Sequence, residues 1–369
     1  MPKSSVKRLY VIPVLSKALD VLEILQKHER PMSLEAIYKR THISKTTVYR
    51  ILKTFVHRGY LAQSQNGLYS VVTRPRKVRF GFGKQSSEMP FSEAVAASLR
   101  DAASRAGVDL LVLDNRYDAA TAVRVADEFV HSRVDLVIEF QIDQEVAPII
   151  ADKVSAAGIP LIAVDIPHPH ATFFGVDNYR VGVEAGELLA EHAKRVWSGK
   201  VDWVIGLDVD EAGPMVQSRV TGAFQAIHDQ LPDIPVESFV RIDGRGMQDK
   251  SAKVIAQFLN RHPRNRRILI TAATDTSALG AVEAARELNR EKHVAIVGQD
   301  CIPEALEEMQ RPNSPWIGSV SHEAASYGPQ LIQLGLSILR GVTIPPYNFV
   351  EHKLVRADAL REQTAQAVP

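Results

Sequence analysis

Between residues 78 and 339, short apolar runs alternate with longer amphipathic stretches, and this alternation admits few folds. The apolar runs fall at 78–82, 109–113, 134–138, 159–164, 203–207, 236–240, 268–271, 294–297 and 317–320. Helical periodicity occupies 91–105, 119–131, 146–157, 181–197, 215–230, 249–261, 277–289, 303–310 and 324–339. Runs that are apolar throughout, rather than at every second residue, belong to parallel strands covered by helices on both faces. The units are too many for one comfortable sheet. A break near Gly199 and Lys200 predicts two α/β lobes of about 120–150 residues each. Ligands in such sheets bind beyond the carboxyl ends of the strands, and here those ends would face each other across a cleft.

The first seventy residues have a different period. Leu34, Ile37 and Tyr38 share one helical face, which Thr41, His42 and Ile43 interrupt. A second helix opens at Ser44, whose hydroxyl can cap the free amides of the first turn. Along it Val48, Ile51, Leu52 and Phe55 make one apolar stripe, as a core-facing helix requires. The opposite face shows Ser44, Lys45, Thr46, Thr47, Tyr49, Arg50 and Lys53. Hydroxyls, a phenol and cations suit base edges and phosphates in a major groove. Two apolar stretches at 60–62 and 68–71 then flank Asn66-Gly67, a pair suited to the positive backbone angles of a hairpin turn. Two helices at a tight turn followed by a hairpin predict a winged helix-turn-helix. An earlier helix is expected to start at Ser16 and to bury Ala18, Leu19, Leu22, Ile24 and Leu25.

Charge separates the two regions. Of 44 Lys and Arg and 43 Asp and Glu, residues 1–76 hold 14 and 4, leaving 30 against 39 for the remainder. A basic head on an acidic body favours a polyanion at the head and disfavours the body as a second contact. The divisions expected are a DNA-binding domain at 1–71, a linker at 72–77, a two-lobed small-molecule-binding domain at 78–355 and a tail at 356–369. The linker reads either as a plain tether or as a basic segment lying along phosphates. The lone Cys301 excludes an internal disulfide and fits a reducing compartment. The N-terminal residues lack the unbroken apolar core of a signal peptide, and no run reaches the about 18 apolar residues of a membrane span. The expectation is a cytoplasmic protein without a membrane partner.

The body is polar where its strands end. Gly83 to Phe91, Asp114-Asn115, Glu139-Phe140-Gln141 and Asp165 to His168 follow the strands of the first lobe. Asp208 to Glu211, Thr274-Asp275, Gln299-Asp300 and Ser321-His322 follow those of the second. Carboxylates accept hydroxyl hydrogens, and an aromatic ring can stack on an apolar sugar face. Any one of these residues, Asp275 above all, could equally be a helix cap.

Two resemblances add to this reading. The stretches LSKALDVLEILQKHERPMSLEAI and ISKTTVYRILKTFVHRGYL resemble the IclR-type winged-helix family over about 60 residues. That likeness implies a bacterial regulator with residues 44–53 as its recognition helix, whereas nothing after residue 76 resembles the usual IclR effector domain. Instead AAGIPLIAVDIP, FFGVDNYRVGVEAGELLAEHA, SRVTGAFQAI, TAATDTSALGAVEA and AIVGQDCIPEAL resemble the ribose-binding-protein and lac-repressor family, with its periplasmic-binding-protein-like type I fold. The resemblance covers about residues 77–355. It implies a ligand role for Asp165 after the fourth strand, Arg219 in the Arg-x-x-Gly222 motif, Asp300 in the second lobe and Phe91 in the first loop. At other positions of that site this chain departs from the family pattern. Ser92 stands where a second aromatic is usual, Glu139 and Thr274 where asparagines are usual, and Ile166 where the ribose binders have an arginine. Gln299 replaces an aromatic and His322 a glutamine. The cleft is thus less aromatic than the family's, which leaves open a polyol, a modified sugar or another small polar metabolite.

Other chemistry is weaker. Gly81-Phe82-Gly83 lacks the third glycine of a dinucleotide motif. His168 and His170 flank a proline without a clear third metal ligand. Asp208, Asp210 and Glu211 lack a nucleophile–base pair and read as a polar cleft rim. No cofactor or metal is expected. The leading function is a ligand-responsive transcription regulator, with operator DNA and a sugar-like effector as partners and a homodimer as its working form. An α/β enzyme or a cytoplasmic solute-binding protein tethered to DNA is the alternative.

Overall fold

The computed structural model describes residues 12–28, 30–64, 66–72 and 77–367, with side chains to residue 364. It resolves into two compact units, residues 1–76 and 77–369.

The smaller unit contains α1 (Pro13–Gln26), β1 (Met32–Ser33), α2 (Leu34–Tyr38), α3 (Lys45–His57), β2 (Leu61–Gln63) and β3 (Leu68–Val71). Its strands form an antiparallel sheet ordered β1-β3-β2. Ser33 accepts a hydrogen bond from the Ala36 amide and Ser44 one from the Thr47 amide, so both α2 and α3 begin on a hydroxyl cap. Val48, Ile51 and Leu52 bury the expected stripe of α3 against Val21, Leu25, Ile37 and Tyr69. Gly67, at φ 72°, supplies the left-handed residue of the wing turn, whose Gln65 lies outside the described residues. The first helix differs from expectation. It starts at Pro13, whose ring suits the first turn, and it buries Val21 while Leu19 stays exposed. Of the linker, residues 73–76 lie outside the described set.

The larger unit begins with β4 (Arg79–Lys84), α4 (Pro90–Ala106), β5 (Asp109–Asp114), α5 (Ala119–His131), β6 (Leu136–Glu139), α6 (Ala147–Ala156), β7 (Leu161–Val164) and β8 (Thr172–Gly175). It continues with α7 (Asn178–Trp197), β9 (Trp203–Asp208), α8 (Gly213–Gln230), β10 (Phe239–Asp243), α9 (Gln248–Arg261), β11 (Ile268–Ala272), α10 (Asp275–Glu287) and β12 (Val294–Asp300). The last elements are α11 (Pro303–Gln310), β13 (Trp316–Ser321), α12 (Ala324–Leu339), β14 (Tyr347–Phe349), β15 (Lys353–Arg356) and α13 (Ala357–Ala367). One six-stranded sheet runs β14-β8-β7-β6-β4-β5, all parallel. The other runs β10-β9-β11-β12-β13-β15, parallel except for β15. Phe80, Phe82, Leu136 and Ile138 are fully buried in the first sheet, and Ile205, Ile270 and Ile296 in the second. Each such side chain contributes about 1.5–3 kcal/mol on leaving water.

The lobes do not divide near Gly199. The chain leaves the first sheet after β8, and α7 already packs on α8 and on strands β11 to β13 of the second. It returns after β13, because α12 packs on α4 and β6, and β14 then extends the first sheet. A third crossing at 350–352 leads into β15, and residues 357–367, read from sequence as a tail, form a helix on α11, β13 and β15. Two more differences concern short elements. The run at 236–240 begins as a 3-10 turn, so β10 starts only at Phe239. Strand β8, four residues long, was not apparent in the sequence.

Candidate ligand cleft and nucleic-acid interface

The carboxyl ends of the two sheets enclose a cavity of ≈ 570 Å³, its open mouth included, lined from both lobes. The lobes touch across it. Ile142 and Ile166 pack on Val209, Ala212 and Val216, and Tyr117 Oη donates to the Arg245 carbonyl at 3.0 Å.

Five of the residues singled out in the sequence line this cavity together: Phe91, Asp165, Arg219, Thr274 and Asp300. Phe91 sits in the first turn of α4, which Pro90 opens, and its ring meets Phe140 and Tyr327 edge-on at 6.3 and 5.6 Å. Asp165 follows β7 in a left-handed conformation, φ 61°, which aspartate tolerates better than most residues. Its Oδ1 is buried without a hydrogen-bond partner among the described residues. Burial pushes its carboxyl up to about 6, against the opposing pull of the Arg219 guanidinium, while Asp300 adds to the rise. Arg219 lies on α8 of the second lobe, buried, with Nε donating to Asn178 Oδ1 at 2.6 Å and Nη1 to the Ala273 carbonyl at 2.8 Å. These two bonds fix the plane of the guanidinium and leave its other N–H groups for the cavity. Asp300 ends β12 at φ 109°, a backbone angle that costs about 1–3 kcal/mol in a residue other than glycine. Thr274 is also the cap of α10, accepting from the Ser277 amide at 3.1 Å.

Glu139, Gln299 and His322 are fully buried and do not line the cavity. Glu139 ends β6 and accepts from Asn115 Nδ2 at 2.6 Å; burial pushes its carboxyl up to about 8 despite that bond. Gln299 and His322 meet each other behind Asp300, with Gln299 Oε1 3.1 Å from His322 Nε2. Asp275 is structural but is not the helix cap weighed for it: Thr274 caps α10, and Asp275 accepts from Ser319 Oγ at 2.7 Å and from the Ile302 amide at 3.0 Å. Asp208, Asp210 and Glu211 are not on the cavity rim. Asp208 pairs with Arg241 and Glu211 with Arg245, while Asp210 accepts from Gln217 at 3.2 Å. Gln85, Tyr117 and Gln141 line the cavity without having been singled out as site residues, and Ile166, named as a departure from the family pattern, lines it too. Gln141 was legible as a strand-end amide, whereas Tyr117 lies three residues beyond its strand and gave no signal. His168 turns its Nδ1 to the Ile166 carbonyl at 2.9 Å, and burial lowers its ring to about 4. Among the described residues no three His, Cys, Asp or Glu side chains are grouped to hold a metal.

On the smaller unit, α3 presents two rows of polar residues. Lys45, Thr46, Tyr49 and Lys53 stand open to solvent. Lys45 is engaged by Glu35 of α2 at 2.6 Å, and Lys53 by Gln63 of β2 at 2.9 Å. Thr47 and Arg50 instead border a groove shared with Val14, Leu15 and Ala18 of α1, and Thr47 Oγ1 lies 2.8 Å from Ser44 Oγ. The seven residues read from the sequence thus fall on two rows of the helix, and Lys45 must exchange a carboxylate for any phosphate.

Residues 14–65 match the IclR helix-turn-helix domain and residues 80–343 the periplasmic binding protein domain. A D-ribose/D-allose-binding protein of Pseudomonas aeruginosa is 25% identical over 235 residues, covering 61% of this chain and 70% of that protein. An ABC transporter periplasmic solute-binding protein from Actinobacillus succinogenes with bound D-allose superposes at a TM-score of 0.67, with 21% identity over 78% of this chain and 100% of that one. A solute-binding protein from Agrobacterium vitis with bound allitol gives 0.68, with 19% identity over 79% and 99%. The fold, the paired lobes and both matches agree: the chain belongs to the periplasmic-binding-protein family, with an IclR-type helix-turn-helix domain ahead of the two-lobed body.

Proposed function

We propose that the protein is a cytoplasmic transcription regulator that reads operator DNA with α3 and the wing, and whose cavity takes a sugar or polyol. The observation that carries this reading is the meeting of Asp165 from the first lobe with Arg219 and Asp300 from the second in one buried cavity. A guanidinium with donors to spare beside two carboxyl groups suits vicinal hydroxyls. The sugars and sugar alcohol named with its relatives, D-ribose, D-allose and allitol, have that chemistry. A ligand that bridges the lobes favours their closed arrangement, and only such differential binding can move an equilibrium felt by the DNA-binding unit.

The test pairs calorimetry against D-ribose, D-allose, allitol and myo-inositol with an operator-shift assay. Arg219→Ala is expected to weaken ligand binding by about 2–5 kcal/mol, because it strands buried polar groups, and to abolish the ligand's effect on operator affinity. Ligand-free DNA binding should persist, since the smaller unit has its own core. Wild-type ligand affinity in Arg219→Ala would mean that the cavity is not the effector site. Turnover of a bound sugar would favour an enzyme instead.

A further inference from the structure

We propose that His322 positions Asp300 for the cavity through a single proton held between His322 Nδ1 and Asp300 Oδ1. The proposal rests on reading the cavity as the effector site. It extends that reading to a residue that does not touch the cavity.

The Val181 carbonyl on α7 can only accept a hydrogen bond, and Gln299 Nε2 lies 3.3 Å from it. Turning the Gln299 amide over would set two carbonyl oxygens against each other. Its Oε1 must therefore face His322 Nε2, 3.1 Å away, and that nitrogen must carry a hydrogen. The other ring nitrogen, Nδ1, lies 3.2 Å from Asp300 Oδ1, an ion-pair distance although off the line of a good hydrogen bond. A neutral ring protonated at Nε2 has a lone pair at Nδ1. Facing a carboxylate, that lone pair would set two acceptors against each other in a site where His322 is fully buried.

One proton removes the conflict. It can sit on Nδ1 as an imidazolium beside a carboxylate, or on Asp300 as a carboxylic acid beside a neutral ring; either pair is neutral overall. Burial, then the nearby Arg219, lowers the basicity of the His322 ring, against the opposing pull of the Asp300 carboxylate. The titratable and charged groups around the pair are Arg219 on α8, Asp165 after β7, Tyr117 after β5, Asp275 on α10, Cys301 after β12, Tyr327 on α12 and His352 ahead of β15. The ring of Phe91, edge-on to that of His322 at 5.8 Å, lines the cavity, as does Asp300, whereas His322 does not. Losing the proton sets the lone pair against the carboxylate and unseats Asp300. Ligand affinity therefore falls as pH rises through the titration of the pair.

The experiment uses the full-length protein with ring-15N-labelled histidine, His322→Gln to assign the ring, and Asp300→Asn. In the wild type, His322 should be protonated at Nε2, with Nδ1 shifted upfield of a bare imine nitrogen. Raising the pH should return Nδ1 downfield in one step. That step should vanish in Asp300→Asn, whose amide supplies a permanent donor. An Nδ1–H ring with a bare Nε2 overturns the proposal, as does the same pH step in Asp300→Asn. The wild-type tautomer decides the matter if Asp300→Asn does not fold, and it needs no ligand, so a cavity that takes no sugar is a separate result.

Discussion

At the scale of single residues, the exposed Arg50 and the buried Glu139 give opposite tests. Arg50 projects from α3, and Arg50→Ala should weaken operator binding by about 1–3 kcal/mol if it reads a guanine edge. A titration at fixed salt measures this, and unchanged affinity removes α3 from the recognition role. Glu139 keeps its proton to about pH 8 in the folded chain, against an ordinary 4.5. Between those values the folded state binds more protons than the unfolded one, so stability falls as pH rises and levels off above the upper value. Glu139→Gln lacks this loss. Its melting temperature relative to wild type should climb from pH 5 to pH 8 and then stay level; a constant difference would show that the carboxyl ionises normally. These two residues also mark what was legible in the sequence. The carboxyl ends of the strands pointed to Asp165 and Asp300, and the family likeness to Phe91 and Arg219. Which strand-end side chains would turn into the cavity was not legible. Glu139 faces Asn115 and Gln299 faces Val181, and those partners are remote in sequence.

At the scale of elements, the close approach of α7 and α8 holds Arg219 in place. A Cβ at Gly182 would run into the Arg219 carbonyl, one at Gly186 into that of Ala223, and one at Gly222 into that of Tyr179. Gly182→Ala must therefore part the helices, at about 1–3 kcal/mol for an overpacked interface, and should carry Arg219 off the Asn178 and Ala273 bonds. Chemical denaturation should show the loss, and calorimetry a weaker ligand; unchanged values for both would mean that the helices slide apart freely. The long helices were legible because each repeats its period several times, and the buried strands because each is an unbroken apolar run. Among those that were not, β8, β14 and β15 have only four, three and four residues, and the helix at 357–367 lies in what read as a tail. The three strands are the elements next to the lobe crossings, which is why the division between lobes was placed at Gly199 rather than after β8.

For the whole molecule, α1 offers a surface that its own unit leaves uncovered. Val14, Leu15 and Leu19 are 64%, 53% and 48% exposed, and a winged helix acting alone spans few base pairs. We predict a homodimer on a pseudo-palindromic operator with half-sites about one helical turn or more apart. Leu15→Asp with Leu19→Asp should halve the mass seen by light scattering if this face contributes. A wild-type monomer with an asymmetric footprint would exclude the arrangement. The three crossings between lobes also bear on how the protein is made. The buried core of the smaller unit lies within residues 21–69, whereas the first lobe needs α12 and β14 from near the end of the chain. At about 5–20 residues per second, the ribosome emits the helix-turn-helix unit tens of seconds before the two-lobed body can close its first sheet. On the proposed function, a nascent chain in that interval has a head with no sensor to govern it. Chains stalled soon after residue 76 should bind operator whether or not the sugar is present.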